Sequence, residues 1–287
     1  MIQLGLIGYP VSHSLSPKIQ NAALKACGLE GDYSLFPIAP DDMQALKDLL
    51  NRVRSGEITG LNVTIPHKQN VIPFMDELTP TAKAIGAVNI IYMREDKLIG
   101  DNTDAPGFLS ALKKFLAESP SPILGVPFGD DKGLGVREKS AIVLGAGGSA
   151  RSVVYALLND GWNVTIAARR IEQAQQLASQ FEGTDLMGIN FQTFQPSNFQ
   201  LIVNTTPLGM TPNINTSPLP ENITLSKDTK IYDLVYNPRE TKLVRDARAQ
   251  SLNATTGLGM LIEQAALGFE LWTGCVLPRE VLFFAVE

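Results

Sequence analysis

A two-domain α/β protein is the fold class this sequence predicts, and three observations predict it. Apolar strand-like runs alternate with helix-like patterns almost throughout, the arrangement of a parallel sheet covered by helices. Residues 141–170, AIVLGAGGSARSVVYALLNDGWNVTIAARR, read as strand, glycine turn, helix and strand, the unit that binds dinucleotides. Finally, 287 residues are enough for two domains, each with its own core.

Within the dinucleotide unit, the loop Gly145-Ala146-Gly147-Gly148-Ser149-Ala150 follows an apolar run at 141–144. Gly145 permits the tight turn, Gly147 lets the backbone approach a pyrophosphate, and Ala150 fills the third small position, where the helix packs on the sheet. The helix start adds free N–H groups and a partial positive charge for phosphate. The second strand, 164–168, ends in Arg169 and Arg170. An acid there would hold a ribose 2′-hydroxyl, whereas a guanidinium fork suits a 2′-phosphate. The expected cofactor is therefore NADP.

The remaining elements follow in order. In the first third, strands are expected near 3–7, 33–37, 60–64 and 88–92, with helices near 17–26, 41–55 and 79–85. Met93-Arg94-Glu95-Asp96-Lys97 reads as a hairpin turn into a strand at 98–100, and a helix over about 103–116 leaves the first domain. Residues 119–138 carry Pro120, Pro122 and Pro127 with Gly125, Gly129, Gly133 and Gly135 and no periodicity, which predicts an exposed connection at a domain boundary. Further strands near 201–204 and 230–234 belong to the nucleotide domain. A helix over 260–273 either closes that domain or returns to the first.

Composition narrows the function. Net charge is −5 with no basic block, which argues against a nucleic-acid partner. The start MIQLGLIGYP lacks a basic segment and a long apolar core, so it reads as a first strand and not a signal peptide. No apolar stretch is long enough to cross a bilayer. Cys27 and Cys275 are too few for a disulfide framework or a metal site, so they are expected as buried free thiols in a reducing cytoplasm.

Several polar groups of the first domain suit a small oxygenated ligand. Ser16 before Pro17 predicts a helix N-cap, and the extra hydroxyl of Ser14 beside that helix start would complete a carboxylate site. Asn62 and Thr64 alternate with Val63 and Ile65, so both project to one side at the carboxyl end of a strand, where open α/β sheets bind ligands. Lys68 is expected to begin the following helix, where the dipole opposes a cation, which favours a functional lysine. Gly86-Ala87-Val88-Asn89 and Asp101-Asn102-Thr103-Asp104 bring an amide and carboxylates to the same region. Asp104 could cap its own helix and act in catalysis as well. His13 and His67, far apart and without ligand spacing, are expected to be structural.

SHSLSP, NVTIPHK, GAVN, DNTD, GAGGSAR, NTTPLGM, DLVYNP and GLGMLIEQA occur in this order over residues 12–265, and with them the chain resembles the shikimate dehydrogenases. The resemblance implies a first domain that binds shikimate, a Rossmann domain that binds NADP, and a C-terminal helix that packs back on the first domain. That gives a division into 1–106 with 257–287, and 107–256. Carried over by position, Ser14 and Ser16 hold the shikimate carboxylate, Asn62, Thr64, Asn89 and Gln264 contact ring hydroxyls and carboxylate, and Lys68 and Asp104 are the catalytic pair. Tyr236 lies at the substrate edge, with Leu234 and Gly257 along the nicotinamide. The implied reaction is reversible NADP-dependent reduction of 3-dehydroshikimate to shikimate, on the route to chorismate and the aromatic amino acids, by a monomer or homodimer without a metal. A quinate or dual-specificity dehydrogenase is the alternative, against which Ser16, threonine in some relatives, and the two arginines lean. A catalytically silent dinucleotide-binding regulator predicts decay of the substrate residues, yet Lys68, Asp104, Thr64 and Asn89 are all present. In two places the chain departs from the family. Asn-Arg-Thr after the second Rossmann strand is here Ala168-Arg169-Arg170, and the stretch 119–138 is longer than usual.

Overall fold

The computed structural model describes residues 1–119, 139–181, 184, 186–191, 199–221 and 223–287. The expected connection at 119–138 lies, after Ser119, outside the described residues. The chain divides into two compact units, Met1–Gly107 with Leu261–Glu287, and Phe108–Met260.

The first unit is built on a sheet of β1 (Ile2–Gly8), β2 (Gly31–Pro37), β3 (Gly60–Val63), β4 (Glu77–Leu78), β5 (Ile90–Arg94) and β6 (Lys97–Asp101), in the order β2-β1-β3-β5-β6-β4. It is mixed and not wholly parallel, because β5 runs antiparallel to both β3 and β6. The fully apolar start of β5 reads like a parallel strand since both its faces are covered. The hairpin expected at 93–97 forms with Arg94 opposite Lys97. Glu95 and Asp96 take φ of 49° and 60°, the paired positive φ of a turn that matches strand twist.

Helix α1 (Ser16–Ala26) joins β1 to β2, α2 (Met43–Arg54) joins β2 to β3, and α3 (Pro80–Ile85) precedes β5. Asp42 caps α2 by accepting from the Ala45 N–H. Leu46, Leu49, Leu50 and Val53, at helical spacing, pack with Leu61, Val63, Ile91 and Leu98 of the sheet and with Val88 just before β5. The opposite face presents Ile90, Tyr92 and Ile99 to Trp272. Trp272 lies so close to β3 that a Cβ on Gly60 would meet its Nε1 at 2.1 Å, and that Nε1 donates to the Ile91 carbonyl.

Cys27 and Cys275 are not free thiols. They form a disulfide with Cα atoms 6.6 Å apart, within bridging range. Cys27 terminates α1, and Cys275 lies shortly before α9 (Arg279–Phe284), a helix that packs on α1. The expectation of free thiols fails because this pairing spans 248 positions, a separation no local pattern reports.

The second unit is all parallel: β7 (Ser140–Leu144), β8 (Asn163–Ala168), β9 (Met187–Asn190), β10 (Leu201–Asn204), β11 (Lys230–Asp233) and β12 (Ala254–Thr256), in the order β12-β11-β10-β7-β8-β9. Helix α5 (Gly148–Asn159) joins β7 to β8, α6 (Ile171–Ala178) joins β8 to β9, and α7 (Lys242–Ala249) joins β11 to β12. This is the doubly wound nucleotide-binding order, whose direction of winding reverses beside β7. Helices α4 (Asp104–Ala117) and α8 (Leu258–Thr273) each contain one end of the division between units. Among the described residues no helix is long and apolar enough to cross a membrane.

Candidate active site

Lys68 and Asp104 meet in the first unit. Lys68 Nζ lies 2.5 Å from Asp104 Oδ2, and both side chains are almost buried, at 9% and 7% exposure. Lys68 does not begin a helix, as the sequence suggested. It sits in a run of turns after β3, where its carbonyl accepts from the Val88 N–H instead of a residue one turn onward. The helix-dipole argument therefore does not apply to it, and its partner is a carboxylate brought from 36 residues away.

Asp104 is the first residue of α4 and does not cap it. Asn102 does, its Oδ1 accepting from Ala105 N while its Nδ2 donates to the Ala87 carbonyl. The Asp104 carboxylate is thereby left for side chains. Its Oδ1 accepts from Asn89 Nδ2 at 2.9 Å. Asn89 Nδ2 also lies 3.0 Å from Thr103 Oγ1 and 3.3 Å from Gln264 Oε1, while Asn89 Oδ1 accepts from Thr103 N at 2.7 Å. Thr103, which the sequence did not single out, donates its hydroxyl to the Gln264 main-chain carbonyl. The missing signal was burial in the segment that faces Asn89: Asn102, Thr103 and Asp104 are all buried, and Asp101 is half-buried.

The other expected substrate residues of the first unit lie on β3, just after it, and at or just before the start of α1. Asn62, buried on β3, accepts from the Tyr33 hydroxyl at 2.7 Å and donates to the Asn89 carbonyl at 3.3 Å. Thr64, half-buried, follows β3 and packs against Gly8, where a Cβ would meet its Cγ2 at 2.3 Å. Ser16 is not the N-cap the sequence predicted: Leu15 holds that place, and no side chain caps α1. Ser16 is itself the first residue of α1, and it is the Ser14 Oγ that accepts from the Ser16 N–H, at 3.2 Å. Helix α1 is tied to α8 next to Gln264, because Gln20 Nε2 donates to the Ala265 carbonyl. Of the histidines, His67 is fully buried and bonded to the Ile38 carbonyl, a structural role as expected, while His13 is exposed.

In the second unit, β7 runs into Gly145, whose φ is +113° and where a Cβ would meet Thr205 Oγ1 at 2.6 Å. Only glycine tolerates that conformation and approach. A Cβ on Gly147, in contrast, would meet nothing within 4 Å, so its backbone borders open space. Gly148, Ser149 and Ala150 form the first turn of α5, which has no side-chain cap and no acid there. The first N–H groups of that helix suit an anion. Arg169 and Arg170 follow β8, both exposed, with Arg170 at the start of α6. Leu234 and Gly257 touch, since a Cβ on Gly257 would meet the Leu234 carbonyl oxygen at 2.1 Å. Tyr236 is half-buried two residues beyond Leu234. Among the described residues no acidic, histidine or cysteine cluster could hold a metal.

Comparison with known proteins places this geometry. The model of the shikimate dehydrogenase substrate-binding domain matches residues 6–91, that of shikimate/quinate 5-dehydrogenase matches 130–206, and that of the shikimate 5′-dehydrogenase C-terminal domain matches 257–282. A protein of Carboxydothermus hydrogenoformans named shikimate dehydrogenase (NADP(+)) is 38% identical over 98% of this chain and 95% of its own. The chain belongs to the shikimate dehydrogenase family.

Solved members of the shikimate dehydrogenase family share the fold over the full length. One, in complex with NADP+, is 34% identical with a TM-score of 0.86, covering 100% of this chain and 94% of its own. Another, from Thermus thermophilus in complex with NADP(H) and shikimate, is 36% identical with a TM-score of 0.83, covering 99% of this chain and 98% of its own.

One polar residue of this family member, the first of DLVYNP, has no role assigned from the sequence. Asp233, at the end of β11, is fully buried and accepts from Asn204 Nδ2, Val235 N and Thr241 Oγ1 at 2.8, 3.1 and 2.7 Å. It joins the loops after β10 and β11 to the cap of α7, since Thr241 also accepts from Val244 N. Burial outweighs those three donors and pushes its carboxyl up to about 6. A raised folded-state value means that the protonated form is the more compatible with the fold. The stability it contributes is complete below the ordinary carboxylate range and is lost as pH rises through about 6. Each pKa unit is about 1.4 kcal/mol, so the loss is about 3 kcal/mol. Asp233→Asn keeps the shape and removes the titration. Its thermal midpoint should gain on the parent's between about pH 4 and pH 7; a constant difference across that range would refute the assignment.

Proposed function

We propose that the chain is an NADP-dependent shikimate dehydrogenase, reversibly reducing 3-dehydroshikimate to shikimate on the route to chorismate. The first unit would bind the substrate and the second NADP, in a cytoplasmic monomer or homodimer. The observation that carries this reading is the buried Lys68–Asp104 pair, with Asn89 on the other carboxylate oxygen, in a member of this family. The Carboxydothermus relative is named for shikimate and NADP(+), which supports that substrate over quinate.

NADP, when bound, supplies the hydride chemistry. The chain's part is to hold the substrate and manage one proton. Lys68 Nζ delivers a proton to the C3 oxygen as it gains charge, and takes it back in the reverse direction. Asp104 Oδ2 orients that ammonium, and Asn89 keeps the carboxylate from rotating away. Ser14, Ser16, Asn62, Thr64 and Gln264 would hold the ring hydroxyls and the carboxylate, and Tyr236 would border the substrate. The nucleotide would be held by Gly145-Ala146-Gly147-Gly148-Ser149-Ala150 at the pyrophosphate, by Arg169 and Arg170 at the 2′-phosphate, and by Leu234 and Gly257 along the nicotinamide. The open space at Gly147 and the uncapped start of α5 fit a pyrophosphate.

The test is an absorbance assay of NADPH formation from shikimate and NADP, with quinate and NAD as comparators. Turnover with shikimate and NADP is expected to exceed the other combinations, and no turnover of shikimate would refute the reading. Arg169→Ala should raise the KM for NADPH by about 10- to 100-fold, the loss of a charge-assisted hydrogen bond, and leave that for NADH within about twofold. Equal losses with both cofactors would place Arg169 in folding and not in phosphate recognition.

A further inference from the structure

Asn62 carries an amide whose two ends have the same shape, so its partners alone decide which end is oxygen. Nδ2 faces the Asn89 main-chain carbonyl at 3.3 Å, a group that can only accept. That carbonyl already takes the Val63 N–H at 2.8 Å, so its hold on Asn62 is the weaker of its two bonds. The stronger restraint is the Tyr33 hydroxyl, 2.7 Å from Asn62 Oδ1. Because Oδ1 can only accept, the hydroxyl donates.

Tyr33 belongs to β2, the far neighbour of β3 across β1, and is 3% exposed. Its own N–H is held by Asn21 Oδ1 at 3.1 Å, on the helix whose first residue is Ser16. A buried ring anchored at its backbone delivers its hydroxyl to one place. With Oδ1 engaged by Tyr33 and one N–H turned to Asn89, the second N–H of Nδ2 is the end of Asn62 left for a ligand.

We propose that Tyr33 is a positioning residue for substrate recognition, fixing the Asn62 amide so that it presents an N–H to a hydroxyl or carboxylate oxygen of the substrate. The inference rests on the shikimate dehydrogenase reading. Without Tyr33, the amide keeps only its longer bond to the Asn89 carbonyl, and its free N–H is no longer held in one place for the substrate.

Steady-state kinetics and thermal unfolding of the parent, Tyr33→Phe, Asn62→Ala, the double variant and Asn62→Asp test it. Tyr33→Phe should raise the KM for shikimate by about tenfold, the scale of one hydrogen bond, with kcat and the KM for NADP within about twofold. Adding Tyr33→Phe to Asn62→Ala should change little, because the group being positioned is gone. Asn62→Asp keeps an acceptor for Tyr33 but has no N–H, and should lose as much as Asn62→Ala. An unchanged shikimate KM in Tyr33→Phe would overturn the inference. So would the same loss on both backgrounds, or a rise in both KM values in step with a lower unfolding midpoint. A parent that does not oxidise shikimate sinks the functional reading and this inference together; a working parent with an unaltered Tyr33→Phe sinks this inference alone.

Discussion

Lys68→Ala should lower kcat by about 100- to 10,000-fold, the range for removing a positioned acid–base group, while the KM for NADP stays within about twofold. Lys68 Nζ and Asp104 Oδ2 are 2.5 Å apart with both side chains nearly out of solvent. Deleting the lysine therefore also strands a carboxylate, which destabilises by about 3–5 kcal/mol. A fall in activity could then come from unfolding alone. The double variant Lys68→Met with Asp104→Asn separates the two effects, since neither side chain is left charged. Its unfolding midpoint should recover much of the loss, and its turnover should not. A folded Lys68→Ala protein with near-normal turnover would remove Lys68 from the chemistry.

Opening the disulfide should be a large and purely structural change. Cys27 and Cys275 close a loop of 248 positions, and in the chain-entropy account so long a loop restricts the unfolded state by roughly 5 kcal/mol, with measured values commonly between about 2 and 4. Cys275→Ser should therefore lower stability by about 3–5 kcal/mol. In parallel, a dithiol reductant should lower the midpoint of the parent and not that of the variant. A parent indifferent to reductant would show that the bond contributes nothing to the folded state.

How much of this is legible in the sequence depends on how local each feature is. The stretch from β7 through α5 to β8 can be read directly because its signals, an apolar run, Gly145 and Gly147, then helical spacing, all fall within one supersecondary unit. The turn at Glu95 and Asp96 is equally local. Lys68 reads as a helix start because a run of turns and a first helical turn look alike in sequence. The bond from Val88 N to the Lys68 carbonyl, which separates them, comes from 20 positions away. Asp104 is a plausible cap until Asn102 is found in that place. β4 is two residues long, and β9 has no buried residue, so neither has a pattern to find. Among the site residues, Lys68, Asp104 and Asn89 meet directly, but no motif contains Tyr33, and DNTD and DLVYNP contain Thr103 and Asp233 without giving them a role. Their importance lies in which partners they hold, and composition does not carry that.

The two-part make-up of the first unit has a consequence for synthesis. Residues 1–107 leave the ribosome first, yet their unit also needs 261–287, which emerge only after all of 108–260. Domains form as their chain becomes available, so the second unit has its whole sheet in hand while the first still waits. During that interval Ile90, Tyr92 and Ile99 lack the Trp272 that packs against them, and Cys27 lacks its mate. The unit that begins first is the one that finishes last, and its early strands are the part of the nascent chain most in need of shelter.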